Sequence, residues 1–309
     1  MTEKHKMQVL QEFAVKNGPL CVGLDTDPSY IPESVIKSCG SPSEAVSLYN
    51  REIIRRVSAD RSACCCKIQI AYYEAMGLDG MRIYADTLRA VREAGLVAIS
   101  DVKRGDIAAT ADAYARAHFS GDFETDIITV NPYMGFDTLK PFSSYCLPEK
   151  GGKGIFVLLR TSNPGMADIE QQQLASGGAV LERVGTELER ISEEFGKIYG
   201  AHTCSPVGAV VGCTEENDAK KIRDAYKDVF FLIPGYGAQG GAARIAAALL
   251  GGAGGTVNSS RGILCAWKKD DSLKEKSEAG TLSLADISSA AARVAYESKT
   301  ELLEAKSSL

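Results

Sequence analysis

The sequence predicts an α/β fold, a single (β/α)8 barrel over residues 1–309, and three observations point there. Short β-rich runs alternate with helical patterns along the whole chain, they number eight, and each is almost continuously apolar. Alternation implies parallel strands, and strands buried on both faces read as unbroken apolar runs. Eight such units suit a closed barrel better than an open doubly wound sheet. No Pro/Ser linker and no shift in composition divides the chain.

The runs, in order, are 20–24, 63–70, 96–102, 126–130, 154–159, 207–211, 229–233 and 255–258, each ending in polar or glycine-rich residues. Between them, apolar residues recur three and four apart, as in Met81, Tyr84, Leu88 and Val91, or Leu181, Val184, Leu188, Ile191, Phe195 and Ile198. Each set lays one apolar helix face on the sheet. Ahead of the first strand, Met7, Leu10, Phe13 and Ala14 predict a helix over about residues 3–17 that caps the barrel floor. Residues 161–200 read as an inserted loop and helix, with its first part rich in Gln and Gly. Gly235–Gly241 and Gly251–Gly255 are further irregular stretches.

Composition narrows the function. The net charge is −5 and the pI about 5.4, with no basic stripe, which argues against a nucleic-acid partner. No apolar run approaches the roughly 18 residues of a membrane span, and residues 1–6 carry mixed charge, unlike a leader peptide. The nine cysteines include Cys64-Cys65-Cys66 in an apolar segment, form no CxxC pair and are accompanied by three histidines. They read as buried small hydrophobes in a reducing cytoplasm, with no metal ligands among them. The tail Ser307-Ser308-Leu309 reads first as an ordinary polar end, with a peroxisome-like compartment as the alternative, since it faintly resembles the SKL address.

A barrel places its chemistry at the carboxyl ends of its strands. There the first strand delivers Asp25, the second carries Lys67, and the third runs out through Asp101, Lys103 and Asp106. Residues two apart on an extended strand share a face, so Asp101 and Lys103 are expected within ion-pair distance. Lys67 is flanked by apolar residues on a buried strand. An unpaired lysine there is costly, so it needs a carboxylate, and Asp101 is the candidate.

The ends of the seventh and eighth strands carry Pro234-Gly235-Tyr236-Gly237-Ala238-Gln239-Gly240-Gly241 and Asn258-Ser259-Ser260-Arg261-Gly262. Gly235, Gly237 and Gly240 match GxGxxG, but after the seventh strand, with Arg261 where a dinucleotide site needs an acid. The better reading is the barrel's usual phosphate cradle, in which backbone N–H groups and a helix N-terminus face the anion and Arg261 grips it.

With these residues in place, the sequence resembles the orotidine 5'-monophosphate decarboxylases over nearly its whole length, in the longer, second branch of that family. The stretch Asp101-Val102-Lys103-Arg104-Gly105-Asp106-Ile107-Ala108-Ala109-Thr110 matches the pattern DxKxxDIxxT at every fixed position. Asp25, Lys67, Thr161-Ser162-Asn163-Pro164-Gly165, Pro234-Gly235 with Gln239, and Arg261-Gly262 follow in the family's order.

The resemblance implies a nucleotide substrate and a homodimer. Lys103 would protonate C6, Asp101 would stand beside the departing carboxylate, and Asp106 and Thr110 would reach into the partner's site. Asp25 and Lys67 would hold the ribose hydroxyls, Ser162 the pyrimidine edge, and Gln239 with Arg261 the phosphate. No cofactor motif offers an electron sink, so a C6 carbanion would have to be stabilised electrostatically.

Two alternatives stand beside this reading. One is a Mg²⁺-dependent sugar-phosphate decarboxylase or aldolase of the same barrel superfamily, but those enzymes carry a glutamate where Lys67 stands, and an ammonium repels the cation. The other is a barrel that binds phosphate ligands without turnover, which has no need of so crowded a set of charges.

Overall fold

Branched and small apolar residues dominate the eight runs, and each becomes a strand: β1 Leu20–Gly23, β2 Cys65–Gln69, β3 Val97–Arg104, β4 Ile127–Val130, β5 Gly154–Arg160, β6 Val207–Val211, β7 Phe231–Ile233 and β8 Gly255–Ser259. In this computed structural model, which describes residues 4–200, 204–237 and 241–308, the strands pair in parallel in chain order. β8 closes on β1 through Leu20 level with Val257. β3 runs two residues further than its apolar pattern suggested, to Arg104, and carries the register shift described below.

The helices in chain order are α1 Lys6–Asn17, α2 Glu33–Cys39, α3 Pro42–Ala59, α4 Ile70–Glu74, α5 Gly77–Glu93, α6 Ala108–Phe119, α7 Lys140–Ser143, α8 Val180–Tyr199, α9 Glu216–Ala225, α10 Gly241–Leu249, α11 Arg261–Leu264, α12 Lys274–Glu278 and α13 Leu284–Ser307. α8 is the β5–β6 crossover, preceded by the long segment 161–179. α13 begins with a capping box: Ser283 Oγ accepts from the Asp286 N–H (3.2 Å) while the Asp286 carboxylate accepts from the Ser283 N–H (2.9 Å).

Alternation along each strand sorts two apolar layers. Cys66 and Ile68 of β2, with Ala98 of β3, Ile128 of β4 and Ile155 and Val157 of β5, face the helices. Cys21, Cys65, Val97, Ile99, Ile127 and Phe156 fill the barrel interior, where Met7 and Leu10 of α1 join them and stop the amino end. Lys6 fixes α1 in place, with its backbone N–H on the Gly152 carbonyl (2.7 Å) and its ammonium on Asp126 (2.9 Å).

All nine cysteines are free thiols. Among the described residues, no helix is long and apolar enough to cross a membrane.

Candidate active site

The interior face that is apolar near the floor turns polar at the carboxyl ends. The same parity that puts Cys65 inside puts Lys67 inside, and that of Val97 and Ile99 brings in Asp101. Lys67 is buried, and its ammonium lies 3.1 Å from Asp25 Oδ1 and 3.0 Å from Asp101 Oδ2. On the other side of Asp101, the Lys103 ammonium approaches Oδ1 at 2.6 Å. Asp25, Lys67, Asp101 and Lys103 therefore form one row of alternating charge. Lys103 alone opens substantially toward the barrel mouth, with 46% of its side chain exposed.

The Asp101–Lys103 contact arises by a route that simple alternation does not describe. Ser100 is level with Ile128 and Arg104 with Val130, so three residues of β3 stand opposite one of β4. Lys103 sits at φ +42°, in the left-handed region that side chains rarely adopt. A bulge, with the lysine turned back over it, brings the ammonium to the carboxylate.

Burial pushes the Asp101 carboxyl toward protonation, but the ammoniums of Lys67 and Lys103, with the hydrogen bonds they donate, outweigh it and lower its pKa to about 2. Burial likewise works against a charged Lys67, and the carboxylates of Asp101 and Asp25 reverse that, raising its pKa. Asp101 and Lys67 are thus held as a charged pair at neutral pH.

Further groups brace it. Asp25 Oδ2 accepts from Ser260 Oγ (2.7 Å), which in turn accepts from Asn258 Nδ2 (3.1 Å). β8 comes so close here that a Cβ on Gly23 would lie 2.0 Å from Ser260 Oγ. Thr129 Oγ1 donates to Asp101 Oδ1 (2.9 Å). Sequence reasoning singled out neither Thr129 nor Ser260. For Thr129, the available signal was a hydroxyl at an inward position of β4, opposite Asp101.

The cradle side is open. Gly235 adopts φ +85°, and added Cβ atoms on Gly235 and Gly237 would meet nothing within 4 Å. Arg261 opens α11, a single turn, and is exposed. Its side chain makes no hydrogen bond or ion pair among the described residues. Gln239 and Gly240 lie outside the described residues.

Ser162 is exposed on the loop after β5, beside Gly212. The Glu170 carboxylate latches that loop by accepting from Thr161 N–H (3.0 Å) and Thr161 Oγ1 (2.6 Å). A cleft of about 570 Å³ runs beneath, lined by Asn131, Tyr133, Phe136, Thr161, Asn163 and Ile169 among others.

Asp106 and Thr110 do not join the row. Asp106 Oδ1 accepts from the Ile107 N–H (2.8 Å) and Thr110 lies exposed in the first turn of α6; no hydrogen bond or ion pair links either to the four charged residues. Ile107, beside Asp106 in the chain, is 55% exposed.

Among the described residues, no group of three or more His, Cys, Asp or Glu side chains is placed to hold a metal ion.

A model of the "Orotidine 5'-phosphate decarboxylase / HUMPS family" matches residues 18–275. The orotidine 5'-phosphate decarboxylase of Clostridium novyi is 51% identical over 261 residues, covering 84% of this chain and 88% of that one. Among solved structures, Leishmania donovani OMP decarboxylase superposes with TM-score 0.67 at 28% identity, over 97% of this chain and 99% of its own. Leishmania donovani UMP synthase gives TM-score 0.67 at 31% identity, over 90% of this chain and 56% of its own. With its closed barrel and a model match over most of its length, this chain belongs to the orotidine 5'-phosphate decarboxylase / HUMPS family.

Proposed function

We propose that the protein converts orotidine 5'-monophosphate to UMP and CO₂ in pyrimidine biosynthesis, using no metal or organic cofactor. The observation that carries this reading is the ion-paired row Asp25–Lys67–Asp101–Lys103, with one ammonium at the mouth held 2.6 Å from a buried carboxylate.

Cleavage of the C6–carboxylate bond releases CO₂ and leaves the electron pair on C6, in the ring plane, where the π system cannot delocalise it. The Lys103 ammonium stabilises that pair as it develops and then transfers a proton to C6; the neutral amine regains one from solvent. Because Lys67, Thr129 and the bulge fix the neighbours in advance, the field needs no rearrangement during the reaction. Asp101 next to the substrate carboxylate adds a repulsion that disappears as CO₂ departs.

Asp25 and Lys67 take the ribose hydroxyls and Ser162 the pyrimidine edge. Arg261, Gln239 and the backbone of Gly235 and Gly237 take the phosphate. Binding energy from these remote contacts holds the substrate against Asp101. Lys67 also speaks against the Mg²⁺-dependent reading, since it sets an ammonium where a cation ligand would be needed.

The site is completed by a second copy, which contributes Asp106 and Thr110. Their separation from the row and the exposed Ile107 beside Asp106 support this. The nine free thiols suit a reducing compartment, and we place the enzyme in the cytoplasm.

Turnover of orotidine 5'-monophosphate, followed by its absorbance, is expected to be unchanged by excess EDTA. Loss of activity on chelation, restored by Mg²⁺, would favour the sugar-phosphate branch. For the shared site, equal mixtures of Lys103→Ala and Asp106→Ala chains should recover about a quarter of wild-type activity, because random pairing makes half the dimers mixed, each with one intact site. Mixed dimers that stay inactive would show that each chain carries a whole site.

A further inference from the structure

One oxygen atom holds the segment that presents Lys103. Where β3 carries Asp101, Val102 and Lys103, the only residue of β4 between the paired positions is Thr129. Its Oγ1 accepts from the backbone N–H of Val102 (3.0 Å) and of Lys103 (2.8 Å), and donates to Asp101 Oδ1 (2.9 Å). A hydroxyl has one proton and two lone pairs. The two amides occupy the lone pairs, so the proton is committed to the carboxylate. Thr129 is fully buried, where a lost partner is not readily replaced by water.

A bulge leaves amides that outrun the neighbouring strand's carbonyls, and Thr129 supplies the acceptor from its side chain. It does so where the backbone most needs restraint. Lys103 at φ +42° is in a costly conformation, which persists only when its surroundings over-determine it. The far end of the bulge is anchored separately: the Arg104 carbonyl accepts from the Asn131 N–H (2.8 Å), and Arg104 Nε donates to His118 Nε2 (3.2 Å). Between those anchors and Ser100, Thr129 is the side chain of β4 that fixes both the carboxylate and the lysine backbone.

We propose that Thr129 is a positioning residue for decarboxylation, setting where the Lys103 ammonium stands relative to Asp101 and therefore to C6; this rests on the reading of Lys103 as the proton donor. Without the hydroxyl, two amides lose their acceptor, the bulge relaxes, and the ammonium leaves its place. Contacts to ribose and phosphate come from other strands and stay. The consequence falls on kcat and not on KM.

The test compares Thr129→Val, of the same shape without the hydroxyl, with Thr129→Ser, which keeps it, and with Thr129→Ala and Lys103→Ala, all as folded dimers assayed with orotidine 5'-monophosphate. Thr129→Val and Thr129→Ala should lose about 10- to 100-fold in kcat, with KM within about threefold of wild type. Thr129→Ser should retain kcat within about threefold of wild type.

If Thr129→Val retains wild-type kcat while Lys103→Ala is dead, the positioning role is wrong and the catalytic reading stands. Equal impairment of the Ser and Val variants would assign the effect to the methyl group and overturn the proposal as well. Wild-type turnover by Lys103→Ala would instead remove the reading on which it rests. Should the Val protein fail to fold, the Ser and Ala pair makes the same comparison.

Discussion

Replacing Lys103 by alanine is expected to lower kcat for orotidine 5'-monophosphate by at least about 10,000-fold, combining the loss of a preorganised electrostatic partner with that of the proton donor. UMP binding, measured by calorimetry, should weaken by no more than about tenfold, because phosphate and ribose ligands lie elsewhere and binding and chemistry are separable. The side chain is half exposed and Asp101 keeps two other partners, Lys67 and Thr129, so the fold should tolerate the change. Wild-type-like CO₂ release from this variant would leave the reaction without its central charge.

Lys67→Ala should do its damage twice. It leaves the buried Asp101 with only Lys103 as counter-ion, and it leaves Asp25 with none. Breaking a buried ion pair from one side costs about 3 to 5 kcal/mol, and urea unfolding at pH 7 should report a loss of that size. The sign with pH follows from the carboxylates. In the wild type, Asp101 has its pKa lowered to about 2 from 3.8, so its stabilisation is present above about pH 4 and is lost as pH falls through 2. In the variant, burial without the Lys67 ammonium pushes the Asp101 carboxyl up, so the gap to wild type should narrow as pH is lowered and it protonates. A variant as stable as wild type at pH 7 would contradict the row as a coupled set.

The barrel was legible because burial on both faces writes itself into composition: Val207–Val211 begins and ends where the apolar run does. Lys67 was legible for the same reason, as a charge on a strand that had to be buried.

What sequence could not convey was the shape of β3 beyond Ser100. Period-two reasoning brings Asp101 and Lys103 together, and they do meet, yet through a bulge and a positive φ that no local propensity for lysine announces. Thr129 and Ser260 escaped notice because each acts through a contact across strands, over 28 and 235 residues of chain, and a lone hydroxyl carries no spacing pattern. Asp106 and Thr110 stand apart from the row in one chain, and only the family pattern ties them to it.

Alternation along the row has an effect at a distance. Two carboxylates and two ammoniums sum to zero, so beyond about 8 Å, the screening length at physiological salt, their fields largely cancel. A nucleotide bearing both a phosphate and a carboxylate, approaching a chain of net charge −5, gains little attraction from the row itself. In the proposed reading, long-range attraction falls to charges outside the row, such as Arg261, which has no ion pair among the described residues. On that reading encounter and bond breaking depend on different charges, and rising ionic strength should slow the first while leaving the second untouched.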